Sequence, residues 1–293
     1  MYDYSQLEAL SAVIRTGSFD AAAAQIGVTQ SAVSQRIKQL EERVGTVLVK
    51  RGQPCSGTEA GRRLATHADQ VRLMEKALDF GLGSPLEPTP VRIAVNADSL
   101  ATWLLPALAE HPDFLYDLII DDQDHSADWL RAGEVAAAVT GHPGPVQGCD
   151  SYSLGAMRYF ATASPEFMAH HMPDGPTPEA FERAPSMTFN DKDRLQSDWA
   201  KAVAGRPVTL PKHRLASSHA FVEAACLGIG WGMNPESLSR KELASGSLVQ
   251  VAPDAPLDVP LYWQVSRLTA EPLLPLTRSV MRHARSMLIQ EAE

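Results

Sequence analysis

Apolar residues recur with helical spacing through the first eighty positions. Over residues 5–16, Leu7, Leu10, Val13 and Ile14 share one face, and Gly17 stops the run. Ser18 then caps a second short helix whose stripe is Phe19, Ala22, Ala23 and Ile26. The small alanines permit close packing, and Gly27 ends the helix where a positive φ is cheap. A third run places Ala32, Val33, Ile37, Leu40 and Val44 on one face, with Gln30, Ser31, Ser34, Gln35, Arg36 and Lys38 away from it. Leu48-Val49-Lys50-Arg51 predicts a short strand that turns at Gly52, Pro54 and Gly57. Thr58 caps a long helix to about residue 82, in which Leu64, Val71 and Leu78 recur every seven residues with Ala68 between. That is a short seam of coiled-coil type, or else a helix packed on its own domain. Gly81, Gly83, Pro85, Pro88 and Pro90 mark a hinge.

From Val91 the period changes. Strands are predicted at 91–95, 118–120, 135–139 and 158–163, with helices at 101–109, interrupted at Pro106, and at 127–132. The run Val135-Ala136-Ala137-Ala138-Val139 is apolar throughout, as expected of a strand covered on both faces. Segments 186–189, 193–204, 215–216, 219–227 and 229–233 repeat the alternation, and 272–290 closes the chain as a helix. Alternating strands and helices predict an α/β body with a largely parallel sheet, large enough at ~200 residues for two lobes and a cleft.

Charge divides the chain the same way. The net charge is −9, which argues against uniform coating by nucleic acid. Yet residues 29–63 hold seven cations and three acids, while 81–293 hold 16 Lys and Arg against 26 Asp and Glu. A basic head on an acidic body suits a DNA-binding module joined to something else. The start, Met1-Tyr2-Asp3-Tyr4, lacks a signal pattern, and no apolar run reaches the ~18 residues of a membrane span. Cys55, Cys149 and Cys226 form no C-x-x-C pair, which fits a reducing cytosol, and His170-His171 has no third metal ligand nearby. No cofactor is expected. Gly228-Ile229-Gly230-Trp231-Gly232 leaves a helix and enters a strand, the reverse of a phosphate loop.

The third helix carries the sharpest signal. Compact hydrogen-bonding side chains come first and cations follow, the order a helix needs to read bases near its N-terminus and hold flanking phosphates. Thr29 or Ser31 supplies the cap. With the Gly27-Val28-Thr29 turn before it, the pair of helices reads as a helix-turn-helix. Candidate DNA contacts are Thr29, Gln30, Ser31, Ser34, Gln35, Arg36, Lys38 and, on the wing, Arg51.

These residues carry a resemblance. Gly17-Ser18-Phe19, Ala22-Ala23, the run from Thr29 to Glu41, Leu48-Val49-Lys50-Arg51 and Thr58-Glu59-Ala60-Gly61 resemble the head of LysR-type transcriptional regulators. Asn96-Ala97-Asp98-Ser99-Leu100-Ala101-Thr102-Trp103-Leu104-Leu105-Pro106 and Lys241-Glu242-Leu243-Ala244-Ser245-Gly246 extend the likeness over nearly the whole chain. It is most similar to the lysine- and arginine-responsive ArgP/LysG branch, which controls basic amino-acid export. The resemblance implies a winged helix-turn-helix DNA-binding domain at 1–60 and a linker and dimerisation helix with hinge at 58–90. It further implies a periplasmic-binding-protein-like effector domain at 91–293, with lobe I at 91–163 and 267–293 and lobe II at 164–266. Expected partners are a double-stranded DNA operator, a small effector such as lysine or arginine, RNA polymerase, and further copies of the chain as a homodimer or homotetramer through Leu64, Val71 and Leu78. A cytoplasmic location with no membrane contact follows. Against the branch pattern, Ser56 stands where a basic wing residue is usual, and His219 where an acid is usual.

Ligands in open α/β sheets bind beyond the carboxyl ends of strands. That rule selects Asn96, Asp98 and Ser99, then Asp121, Asp122 and Asp124, then Thr140 with Gly141, and Ser218 with His219 before a helix. Hydroxyls and free N–H groups at a helix start suit a carboxylate, and several carboxylates suit an ammonium or guanidinium. Asp98 is equally readable as a helix cap, and the Asp121–Asp124 run as a solvated loop. The other functional classes are a regulator of the same family with a different effector, or an enzyme or solute-binding protein with an accessory helical domain. The sequence has no G-x-S-x-G elbow, metal-ligand pattern or phosphate loop, so no enzyme is expected.

Overall fold

The computed structural model describes residues 2–82, 88–123 and 125–290, with side chains for all of these except 77–82. Gly83, Pro85, Asp124 and the Leu78 side chain, singled out above, lie outside the described residues.

The head is built from α1 (Tyr4–Thr16), α2 (Phe19–Gln25) and α3 (Gln30–Val44). Each begins at a side chain that satisfies an orphan N–H: Asp3 accepts from Ser5 N, Ser18 from Ala21 N, and Thr29 from Ala32 N. Of the two caps proposed for α3, Thr29 is the one used. Leu7, Leu10, Val13, Ala22, Val33, Ile37 and Leu40 close into one core. A wing follows, β1 (Val49–Lys50) paired with β2 (Ser56–Gly57). Glu41 on α3 accepts from Leu48 N at 2.8 Å and Val49 N at 3.3 Å, so the wing is pinned to the third helix.

The long helix α4 (Glu59–Leu82) starts at Thr58, whose hydroxyl accepts from Gly61 N at 3.1 Å. It belongs to two cores at once. Ala68 and Leu64 pack with the head, and Leu73 packs with the body. Leu64 packs against the head core yet stays partly exposed, as does Val71, the other described member of the seam. Farther along, the Lys76 ammonium is bound by the Asp113 carboxylate at 2.6 Å and lies 4.0 Å from the Phe114 ring centroid.

The first lobe contains β3 (Thr89–Val95), α5 (Ala97–Ser99), a π-helical turn over Leu100–Leu104, α6 (Leu105–Ala109), β4 (Phe114–Ile120), α7 (Ser126–Arg131) and β5 (Ala137–Thr140). The wide turn sits just before Pro106, whose missing N–H and ring displace the carbonyl ladder one turn back. Then β6 (Cys149–Ala163) leads to α8 (Pro165–His171), α9 (Pro178–Phe181), β7 (Ser186–Thr188), α10 (Leu195–Ala204), β8 (Lys212–Arg214), α11 (Ser218–Cys226) and β9 (Gly232–Pro235). The chain ends through α12 (Glu236–Ser245), β10 (Val249–Gln250), β11 (Leu257–Ser266) and α13 (Leu274–Met287).

The main sheet has the order β10-β6-β11-β5-β3-β4, with β9 also on β6. The expectation of a largely parallel sheet is corrected here. Among the described residues of this sheet only β3–β4 and β3–β5 are parallel, and β11 runs antiparallel to both β5 and β6. Strand β11 was not predicted because Pro260 interrupts a run that otherwise favours extended backbone. Residues 262–265 pair with β5, while 257–261 pair with residues 155–159 of β6.

Gly61 is fixed by a close approach of backbone to backbone. A Cβ there would lie 2.0 Å from the Leu48 carbonyl oxygen. Gly61→Ala is expected to force the wing off α4 and to cost about 1–3 kcal/mol, as overpacking does. Urea unfolding checks it, and an unchanged midpoint would show that this approach is not a constraint.

Candidate nucleic-acid interface and ligand cleft

On α3 the side chains of Gln30, Ser31, Gln35 and Lys38 are exposed, as is the Thr29 cap, while Ser34 and Arg36 are half-buried. Gln30 donates to Asp20 at 3.4 Å and Lys38 lies 3.8 Å from Glu42, both weak restraints that a phosphate or base can replace. Arg51 is exposed and its guanidinium stacks 5.4 Å from the Phe19 ring centroid, which holds the cation beside the start of α2. The sequence-derived residues thus form one surface across α3 and the wing.

The cleft lies between the two lobes, where the ends of β3 and β4 face the β7–α10 loop, the start of α11 and strand β9. Asn96, Asp98, Asp121, Asp122 and Ser218 line it, as expected from the strand-end rule. Ser99, Thr140 and His219 do not. Ser99 is fully buried behind the wall. Thr140 is turned into the core, where its hydroxyl accepts from Gln264 at 3.0 Å. His219 faces solvent beyond the rim.

Asp98 lies just past the end of β3, half-buried in the cleft wall. It does not cap a helix; the N-cap position of α5 is Asn96, which makes no side-chain cap bond. Asp98 instead accepts from the Tyr159 hydroxyl at 2.8 Å. The Ser218 hydroxyl also lies beside it, off the line of a formed hydrogen bond. Burial pushes the Asp98 carboxyl above its usual range, against the lowering by Ser218 and Tyr159. Asp121 is the opposite case. Burial raises it, but donors from Lys192, Trp129 and the Asp122 backbone outweigh burial and hold it below the ordinary value.

Several cleft residues were not selected from sequence. Asn190, Asp193 and Gln196 lie just past β7, so the strand-end rule applied to that strand would have found the first two. Asp193 is a loop clasp: its carboxylate accepts from Phe189 N at 2.9 Å, Leu195 N at 3.0 Å and Thr188 Oγ1 at 3.2 Å. Tyr159 and Asn234 sit within strands, where that rule does not look. Four buried polar atoms on the cleft wall have no partner: Asn96 Oδ1, Gln196 Oε1, Asn234 Oδ1 and Ser218 Oγ. Among the described residues no group of three His, Cys, Asp or Glu side chains could hold a metal, and no helix is long and apolar enough to cross a membrane.

A head shaped for a DNA groove is joined by one continuous helix to a body whose cleft waits for a small polar molecule. That combination is a ligand-responsive DNA-binding transcriptional regulator. The chain belongs to the LysR family: residues 4–62 match the bacterial regulatory helix-turn-helix protein, lysR family, and residues 86–288 match the LysR substrate binding domain. It is 46% identical over 288 residues to the HTH-type transcriptional regulator LysG of Mycobacterium tuberculosis, covering 98% of this chain and 94% of the relative. Its fold matches the crystal structure of ArgP from Mycobacterium tuberculosis with a TM-score of 0.81 and 44% identity, over 99% of this chain and 100% of that one. Full-length LysG from Corynebacterium glutamicum with bound effector Arg matches at TM-score 0.67 and 35% identity, over 98% of this chain and 100% of that one.

Proposed function

We propose that the interlobe cleft binds lysine or arginine and that its occupancy tunes the grip of the head on an operator controlling export of that amino acid. The observation that carries this reading is the surplus of buried acceptors. Three unpartnered amide oxygens and the carboxylates of Asp98, Asp121, Asp122 and Asp193 converge on the cleft from its two sides. Leaving a buried acceptor unmade costs about 1–3 kcal/mol, so a ligand rich in N–H donors is favoured over one without them. An α-ammonium suits Asp98 and Asn96. An α-carboxylate suits the Ser218 hydroxyl and the first N–H groups of α11. A cationic side chain then extends toward Asp121 and Asp122. The arginine held by the Corynebacterium relative supports the same class of ligand.

For the head we assign Gln30, Ser31, Ser34 and Gln35 to bases, and Arg36, Lys38 and Arg51 mainly to phosphates. Pairing of two copies along α4 through Val71 would supply both half-sites, in a dimer or a tetramer. A cytoplasmic site of action and contact with RNA polymerase complete the reading.

Two experiments test it. In fluorescence anisotropy with operator and random DNA, Gln30→Ala is expected to cost ~1–3 kcal/mol on the operator alone. Arg36→Ala is expected to weaken both and to lower the log–log salt slope by about one. Identical behaviour of the two variants on both DNAs would contradict the assignment. In calorimetry of the full chain with lysine, arginine and leucine, Asp98→Asn is expected to weaken the basic ligands by ~10–150-fold, the loss of a charge-assisted bond of about 1.5–3 kcal/mol. The cation binds ionised Asp98, whose pKa is raised. Wild-type affinity is therefore full above that raised value and falls as pH drops through it, and Asp98→Asn removes this dependence. Equal affinity for leucine would overturn the reading.

A further inference from the structure

One cleft carboxylate, that of Asp121, is already paired with a cation of the chain's own. Lys192, in the loop between β7 and α10, reaches across to Asp121 at the end of β4, with Nζ 2.8 Å from Oδ1 and 3.2 Å from Oδ2. The loop presenting it is fixed. Asn190 Oδ1 accepts from Lys192 N at 2.8 Å and Asp193 N at 3.1 Å, and the Asp193 carboxylate ties the loop to β7 and α10. On the other lobe Asp121 is equally fixed, since Trp129 Nε1 donates to it at 2.9 Å and the Asp122 N–H at 2.9 Å. The Lys192 side chain remains half exposed while Asp121 is largely covered, so the ammonium can swing away into water but the carboxylate cannot follow.

We infer that Lys192 is a specificity-determining residue that acts as an internal stand-in for the ligand's side-chain cation. With the cleft empty it neutralises Asp121 and bridges the lobes at the mouth. The side-chain ammonium or guanidinium of the incoming amino acid takes its place, and Lys192 returns to solvent. A neutral side chain cannot make the exchange, because displacing Lys192 would leave Asp121 covered and without a cation. The exchange therefore discriminates by charge at the mouth of the cleft, in addition to the contacts at its floor. This inference rests on the proposal that the cleft takes a basic amino acid.

The test is calorimetry of the full chain with arginine and leucine at two salt concentrations, comparing wild type with Lys192→Met, Lys192→Gln and Lys192→Arg. Removing the competing charge is expected to tighten arginine binding roughly three- to tenfold in both neutral variants, with a steeper salt dependence and no gain for leucine. Lys192→Arg, which keeps the competitor, is expected to stay near wild type. Arginine binding that is unchanged or weaker in Lys192→Met and Lys192→Gln overturns the role of Lys192 while leaving the ligand class intact. Wild-type protein that binds neither arginine nor lysine overturns the functional reading, and this inference with it.

Discussion

A buried wall with more hydrogen-bond acceptors than donors is the constraint around which the body is arranged. Carboxylates cannot be turned into donors by rotation, so those at the cleft need donors from the chain or from a ligand. The chain supplies donors of its own: the Tyr159 hydroxyl on Asp98, Trp129 and Lys192 on Asp121, and three donors on Asp193. Among the cleft residues, the side-chain atoms left without a partner are on Asn96, Gln196, Asn234 and Ser218.

The scaffold gives these groups fixed positions from both sides. Strands β6 and β11 run through both lobes as one antiparallel pair, so the lobes share a sheet. Helix α4 then carries the body to the head. Leu73 is part of the body core and Ala68 part of the head core, five residues apart on one rigid element. Lys76 with Asp113 and Arg62 with Glu134, at 3.4 Å, clasp the same helix to the first lobe at two heights. The head and the first lobe thus share one packed helix.

The head was legible almost residue by residue. Helical period, glycine stops and the caps at Ser18, Thr29 and Thr58 are local signals, and local signals survive in sequence. The cleft was half legible. Strand ends marked Asn96, Asp98, Asp121, Asp122 and Ser218 because loop positions there face the ligand whatever the sheet order. They also marked Thr140 and Ser99, because sequence does not show which way a side chain turns after the strand ends. Tyr159 and Asn234 act from within strands, and Lys192 matters only because another lobe brings Asp121 to it. Strand β11 was hidden by Pro260, and with it the antiparallel half of the sheet. At the linker, Leu64 packs on the chain's own head while staying partly exposed, a contact that a seven-residue spacing alone does not reveal.

The most direct measurement of the central claim is a crystal structure of the full chain with arginine. The account requires arginine between the lobes, with its α-ammonium against Asp98 and Asn96 and its carboxylate at the first turn of α11. Arginine seated outside the cleft, or reversed so that its carboxylate faces Asp98, would contradict it.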